Sequence, residues 1–450
     1  MRVPLFGLPA NVNFLDFIEV YRFMSEFSGG DPKKVCVMGL GYIGLPTAAI
    51  LARCGYDVHG VDVRADVIDT INRGEIHIHE PGLAELVEEV VRTDKLWAST
   101  APCEADVFFI CVPTPFNSDK SPDLSYVRAA SEAIRPYVHR GNVIILESTS
   151  PPKTTEEIVI PLAVPKGCKV GADVFVAYCP ERVLPGRILI EAVENDRIVG
   201  GTTAECTRRV QQFYETFVSG EVLATSAIAA EITKLTENAF RDVNIAFANE
   251  LSMLANHLGA DPFEIIELAN RHPRVSVLRP GPGVGGHCIS VDPWFLAHAA
   301  PNHSSLIRTA RMVNDDKPRF VVEQVRQIVG ADSSAVIGCL GLSYKADVDD
   351  FRESPSLEIV RRLQETVVGE VLACDPYASP QTCPDVTLTP LEELLQRSDI
   401  VLLLTDHASF RALSATDLAG KRVVDTRGVW PCHTDATEPQ RAAQTVRRAA

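Results

Sequence analysis

Apolar residues in this chain fall first into short continuous runs separated by helical stretches, and the alternation occurs twice. From Lys34 onward, runs at Val35 to Met38, up to Asp62, Val107 to Val112, Val143 to Leu146 and Val174 to Tyr178 predict strands. Helices are expected between them, as at Leu45 to Cys54, which is the signature of a parallel doubly wound sheet. A second, smaller alternation has strands at Ala335 to Gly341, Val371 to Cys374, Ile400 to Leu404 and Arg422 to Asp425. Between the two, residues 227–258 contain neither Pro nor Gly and place Ile232, Leu235, Ala239 and Val243 at helical spacing, predicting one long central helix. The expected fold class is therefore α/β, two Rossmann-like domains joined by a long central helix. The expected divisions are an N-terminal extension of unknown role (1–32), a first α/β domain (33–202), a central helical domain (203–316), a second α/β domain (317–432) and a tail (433–450).

Length and charge narrow the classes. A chain of 450 residues exceeds what one core organises. A formal net charge of -16 speaks against non-specific contact with nucleic acid or anionic lipid, so any anion site must be built locally. The 12 cysteines are scattered through apolar runs without a C-x-x-C pair, which predicts a reducing, cytoplasmic setting and no metal centre. The first thirty residues mix apolar positions with Asn13, Asp16, Glu19 and Arg22 and so carry neither a secretory core nor a membrane span. A helix over 14–24 and an over-extended translation start are both compatible with them.

Two glycine clusters carry the chemistry. Gly39, Gly41 and Gly44, with Leu40, Tyr42 and Ile43 between them, form G-x-G-x-x-G after a strand and at the start of a helix. They supply a tight turn, close backbone approach to a pyrophosphate and a helix N-terminus for the phosphates. Asp62 ends the next strand, where a carboxylate accepts from ribose hydroxyls and repels a 2′-phosphate; NAD is the expected cofactor, with Arg64 leaving NADP open. Thr114 and Thr149 end later strands near the nicotinamide half, although strand-end turn chemistry accounts for such hydroxyls equally. The second cluster, Gly283, Gly285 and Gly286, leads through His287 to Cys288. Converging backbone N–H groups there favour a thiolate and receive an oxyanion. On the central helix, Lys234, Asn238 and Arg241 recur at i, i+4 and i+7 in one polar stripe, which is also what a solvated helix face looks like.

At these residues the chain resembles a known family. The stretches CVPTPF (111–116), ILESTSPP (145–152), YCPERVLPG (178–186), the helix from Lys234, NRHPRV (270–275), the loop 280–295 and Phe351-Arg352-Glu353-Ser354 are similar to the UDP-glucose/GDP-mannose 6-dehydrogenases over residues 33–431. The resemblance implies an NAD-dependent four-electron oxidation of a UDP-sugar alcohol to an acid, held on Cys288 as thiohemiacetal and thioester. It assigns Lys234 as proton acceptor, Asn238 to the reacting oxygen, and Asp292 and Glu181 to water and proton movement, their division left open. It places Arg182, Val183, Arg241, His272, Arg274, Gly285 and Tyr344 at the substrate, and Lys345 at its diphosphate. Arg352 and Arg427 fall where cofactor or substrate lies between domains, and Arg274 in a neighbouring subunit's site, which implies a homodimer on the central helix. A single-step β-hydroxyacid dehydrogenase, which needs no thiol, and a non-enzymatic sugar-nucleotide sensor are the alternatives.

Overall fold

The computed structural model describes residues 34–286, 288–330 and 334–430; the extension 1–32 with its expected helix, His287 and the tail 433–450 lie outside the described residues. The chain divides into two compact units, Met1–Thr236 and Glu237–Ala450.

The first unit runs β1 (Lys34–Met38), α1 (Gly44–Arg53), β2 (Asp57–Val61), α2 (Ala65–Asn72), α3 (Leu83–Arg92), β3 (Leu96–Ser99), β4 (Val107–Ile110), α4 (Ser125–Ile134), β5 (Val143–Leu146), α5 (Ile160–Ala163), β6 (Phe175–Tyr178), α6 (Ile188–Glu194), β7 (Arg197–Gly201), α7 (Ala204–Tyr214) and β8 (Val222–Ser226). Its sheet has the order β3-β2-β1-β4-β5-β6-β7-β8, with β7 antiparallel to β6 and the remaining neighbours parallel. Strands β4, β5 and β6 are buried on both faces, so their sequences are unbroken apolar runs. Alternate residues feed two cores: Val37, Phe109 and Ile145 in one, Cys36, Phe108 and Ile144 in the other. The strand order reverses between β1 and β4, and the crevice at their carboxyl ends is where a doubly wound sheet receives a dinucleotide.

Three strands of this sheet escape the hydropathy reading. β3 alternates and leaves Trp97 exposed at the sheet edge, β7 starts with an arginine, and β8 is mostly exposed. The division expected at residue 202 falls between the paired strands β7 and β8.

Helix α8 (Ala227–Leu258) is 32 residues long, as its Pro- and Gly-free sequence predicts, and leads from the first unit into the second. Of the four apolar positions expected on its buried side, Leu235 and Ala239 are buried and Val243 half-buried, but Ile232 is 40% exposed. The helix instead buries three polar residues, Glu231, Asp242 and Asn249. Glu231 caps the turn at residues 153–155, accepting from the Lys153 and Thr155 amides at 2.5 and 2.9 Å.

Beyond α8 the second unit comprises α9 (Pro262–Ala269), α10 (Asp292–Ala299), α11 (Ser305–Val329), β9 (Ile337–Leu340), α12 (Pro355–Thr366), β10 (Val371–Cys374), α13 (Leu391–Arg397), β11 (Ile400–Leu403), α14 (Ala408–Arg411) and β12 (Arg422–Asp425). Its four strands are all parallel in the order β10-β9-β11-β12. The division expected at 316/317 lies inside α11.

A buried polar network fastens α8 to α11. Arg311 is 1% exposed and Asp242 fully enclosed, with Nη1 donating to the carboxylate at 2.6 Å. Asn314 Nδ2 donates to the same carboxylate at 2.8 Å, and Asn249 Nδ2 donates to Asn314 Oδ1 at 2.8 Å. Burying such a pair yields little net stability, but removing one partner strands the other charge in a dry site. Asp242→Ala is therefore expected to lower the unfolding free energy of this unit by about 3–5 kcal/mol. Arg311 also pairs with Asp315, four residues along α11; a denaturant titration of wild type and variant checks the prediction, and an unchanged midpoint would show that Asp315 alone satisfies Arg311.

Candidate active site

In the first unit the glycine turn is built by close approach. Gly39 has φ +90, and a Cβ there would lie 2.7 Å from the Cys111 carbonyl oxygen; a Cβ at Gly44 would lie 1.8 Å from the Gly39 carbonyl oxygen. Gly41, by contrast, faces open space, and Tyr42 beside it is 45% exposed. Asp62 follows β2 and accepts from the Leu40 and Arg64 amides, each at 3.0 Å, which aims it at the turn; it is half-buried and so can also accept from ribose hydroxyls. These features fit a dinucleotide: an open face over the turn, the start of α1 for the pyrophosphate and a carboxylate at the ribose. Arg64 pairs with Asp66 at the surface. Thr114 donates its hydroxyl to the Thr149 carbonyl at 2.5 Å, tying together the segments that follow β4 and β5.

Beneath this turn lies a polar cluster that the sequence does not announce. Glu147, which follows β5, is buried and accepts from Tyr214 at 2.6 Å, Cys111 at 3.4 Å and Thr47 at 3.5 Å. Glu181, also buried, accepts from Arg197 Nη1 at 2.6 Å and from the Arg182 amide at 2.6 Å. Burial pushes the Glu147 carboxyl up to about 7, with Arg197 opposing and Glu181 adding to the rise. Arg182 donates to the Asp196 carbonyl at 3.2 Å, and Val183 packs against the first core. Lys234 is half-buried on α8.

In the second unit Cys288 is exposed and sits one turn before α10. Its carbonyl accepts from the amides of Val291 and Asp292 at 3.1 and 2.9 Å. Asp292, the buried first residue of α10, accepts from Asn238 Nδ2 at 2.6 Å. Asn238 is thus tied into a site, and a solvated face does not describe the stripe at that position. The preceding glycines are required by what presses on them. A Cβ at Gly285 would lie 2.4 Å from the Glu353 carbonyl oxygen, and one at Gly286, with φ +85, would lie 2.9 Å from the Tyr344 ring. Tyr344 is close enough to the thiol that Cys288, after burial and Asp350, raises its phenol. The network under α8 grips both ends of this loop: Asn249 Oδ1 accepts from the Gly281 amide at 2.9 Å, and Arg311 Nη1 donates to the Ile289 carbonyl at 3.5 Å.

The glycine turn after β9 repeats the first with one change. Gly341 has φ +92, and the following amides of Leu342 and Ser343 donate to Asp375 at 2.7 and 3.1 Å. Asp375 is the positional counterpart of Asp62, but it is buried and also bonded to His407 Nε2 at 3.0 Å. Those two turn amides are already committed to Asp375, and Lys345, two residues after Ser343, is exposed. Arg427 donates to Asp406 at 3.0 Å and lies against Gly281. Arg352 is held at the surface by Asp350. Arg241, His272 and Arg274 are exposed.

Sequence reasoning missed Glu147 as a carboxylate, along with Arg197, Asp242 and Arg311. A charged residue opening a buried strand, as Arg197 does, was the available signal; Asp242 on its helix had none.

The chain matches three family models in order: the UDP-glucose/GDP-mannose dehydrogenase family NAD binding domain at residues 33–218, central domain at 228–316 and UDP binding domain at 338–431. It is 51% identical over 409 residues to an NDP-N-acetyl-D-galactosaminuronic acid dehydrogenase of Ralstonia solanacearum, covering 89% of this chain and 97% of the relative. It is 47% identical over 414 residues to the UDP-N-acetyl-D-mannosamine dehydrogenase of Escherichia coli, covering 88% and 99%. Among solved structures, a UDP-N-acetyl-mannosamine dehydrogenase from S. aureus superposes with a TM-score of 0.81 at 44% identity, covering 89% of this chain and 96% of that one. The glycine turn with its ribose carboxylate, the central helix and the second nucleotide fold thus have their explanation together: the chain belongs to the UDP-glucose/GDP-mannose dehydrogenase family and is an NAD-dependent nucleotide-sugar dehydrogenase.

Proposed function

We propose that this chain oxidises the C6 alcohol of UDP-N-acetyl-D-mannosamine to UDP-N-acetyl-D-mannosaminuronate, with Cys288 holding the intermediate. The observation that carries the reading is the exposed Cys288 on a tightly constrained loop, one helical turn from an Asp292 held by Asn238. NAD, when bound, supplies the hydride acceptor for both oxidations, and Gly39, Gly41, Tyr42, Ile43, Gly44 and Asp62 hold it, with Thr114, Thr149 and Arg352. Lys234 takes the alcohol proton and offsets the developing alkoxide charge. The Cys288 thiolate then adds to the aldehyde carbon; a C–S bond forms and the carbonyl oxygen takes a proton, giving the thiohemiacetal. After oxidation to the thioester, water adds to the same carbon, the C–S bond breaks and the thiolate leaves, with Glu181 and Asp292 taking up the protons of water. Asn238 has two amide protons; one goes to Asp292, and the other serves the reacting oxygen.

The second unit holds the UDP moiety through Tyr344, Lys345 and Arg427, while Arg182, Val183, Arg241, His272, Arg274 and Gly285 contact the sugar side. The product feeds polysaccharide synthesis, and the scattered cysteines fit a cytoplasmic enzyme; no described helix is long and apolar enough to cross a membrane. A second sugar is favoured by a specific finding: the Ralstonia relative bears the N-acetylgalactosaminuronic name at 51% identity. UDP-N-acetylgalactosamine therefore belongs beside UDP-N-acetylglucosamine, UDP-glucose and GDP-mannose in the panel.

We also read the chain as a homodimer built on α8. Phe240, Phe247 and Leu254 recur every seventh residue along it and are 70%, 59% and 53% exposed, an apolar stripe that a second copy would cover.

Mass spectrometry with each sugar nucleotide is expected to show the uronate from UDP-N-acetylmannosamine with about two NADH per sugar, the count of a four-electron oxidation. Acid from UDP-N-acetylgalactosamine alone would replace the sugar and keep the mechanism. Cys288→Ala is expected to lower acid formation more than about a thousandfold, some 4 kcal/mol of barrier; full activity in that variant would favour single-step alcohol oxidation. Light scattering is expected to give a dimer for wild type and a monomer for Phe240→Asp/Phe247→Asp, and a dimeric double variant would remove α8 from the interface.

A further inference from the structure

The buried cluster under the cofactor turn holds two carboxylates and one guanidinium. Glu147, Glu181 and Arg197 are 3%, 9% and 4% exposed. With both acids ionised the cluster carries a net negative charge in a dry site, whereas with one proton added it is neutral, which is the state such a site favours. The geometry says which acid takes the proton. Glu181 receives the Arg197 guanidinium and the Arg182 amide, two donors suited to an anion. Glu147 meets no cation at hydrogen-bond distance; its neighbours are the hydroxyls of Tyr214 and Thr47 and the thiol of Cys111. Each of these can either donate or accept, and so tolerates a protonated carboxyl.

We propose that Glu147 is a positioning residue of the reaction: it keeps one proton beneath the cofactor turn, leaves Glu181 as the only carboxylate on Arg197, whose Nη2 also donates to the Ala192 carbonyl, and so holds Glu181 as the carboxylate that thioester hydrolysis uses. This rests on the role given to Glu181 above. Elements on every side contribute: Thr47 from α1, Cys111 after β4, Cys179 and Glu181 after β6, Arg197 from β7 and Tyr214 from α7. The Arg197 Nε has no hydrogen-bond partner among the described residues, so the guanidinium is not saturated by Glu181 and can be drawn toward a second anion. When Glu147 loses its proton to solvent, the new carboxylate competes for Arg197 and loosens Glu181. The sign follows from burial: Glu147 is protonated below about 7 and ionised above it, against an ordinary value of 4.5. Since the folded protein binds this proton more tightly than the unfolded chain, its contribution to stability is complete below 4.5 and is lost as pH rises through about 7.

The test is the kcat–pH profile of the full enzyme with NAD and UDP-N-acetylmannosamine, or UDP-N-acetylgalactosamine if the panel selects it. Wild type is expected to lose rate across an inflection near neutrality with little change in the sugar KM, and Glu147→Gln to lack that inflection. Tyr214→Phe removes a donor to the ionised form, so its inflection is expected about one pH unit higher, the worth of one hydrogen bond to a charged acceptor. A purely structural Glu147 predicts no directed shift. An inflection kept in Glu147→Gln, or unmoved in Tyr214→Phe, overturns the proposal, and Tyr214→Phe decides alone if Glu147→Gln does not fold. Glu181→Gln separates the two readings. Full activity there removes the role of Glu181 itself, whereas an inactive Glu181→Gln beside an unmoved inflection removes only Glu147.

Discussion

The buried pair of Asp242 and Arg311 does for the second unit what no apolar contact could. It joins α8 to α11 at one point and, through Asn314 and Asn249, reaches the backbone at both ends of the loop that carries Cys288. A glycine-rich loop has few side chains with which to hold itself, and its backbone is entropically costly to order. Hydrogen bonds from a rigid, fully buried network supply that order without filling the space in front of the thiol. Tyr344 and the Glu353 backbone close the loop from the other side, where only glycine fits. Cys288 is consequently exposed and yet carried on a loop held at several points, the combination that the proposed covalent capture of an aldehyde would require.

The two α/β units show how one backbone plan yields two kinds of nucleotide site. Both place a glycine turn after the first strand and an aspartate after the next. In the first unit Asp62 takes one amide of the turn and stays half-open, so turn, helix start and carboxylate all face a dinucleotide. In the second, Asp375 is buried, takes two turn amides and is closed off by His407. On the proposed reading, phosphate recognition there falls to a side-chain cation, the exposed Lys345, rather than to the main chain. A buried aspartate backed by a histidine leaves fewer main-chain donors free at the second turn.

What the sequence reveals follows from which forces leave a pattern. Strands buried on both faces, such as β4 to β6, appear as apolar runs, and the glycine motifs appear because a close approach forbids any other residue. The edge strands β3 and β8 leave almost no mark, since half of each faces solvent. Nor does a buried polar network: Asp242, Arg311, Glu147 and Arg197 look like surface residues until the partner that satisfies each one is known. Sequence therefore singles out Cys288, Asn238 and Asp292 as candidates, but not the buried charges around them. Ile232 is the converse case, an apolar residue at the right spacing that stays exposed while the polar Glu231 beside it is buried.

Electrostatics supplies the remaining step. A chain with net charge -16 repels both of its expected ligands, each of which carries a diphosphate, so attraction must come from cations not already neutralised. Most surface arginines here are neutralised: Arg64, Arg208, Arg361 and Arg397 each hold a carboxylate. Arg241, Arg274 and Lys345 make no ion pair among the described residues, although all three are exposed. All three stand at positions that the family resemblance gives to the sugar nucleotide, Lys345 at its diphosphate, where an incoming phosphate would supply the missing charge. The sugars of the panel differ in the acetamido or hydroxyl group at C2 and in the C4 hydroxyl. Charge thus favours any nucleotide sugar alike, and leaves the choice among sugars to the shape and hydrogen bonds around ring carbons C2 and C4.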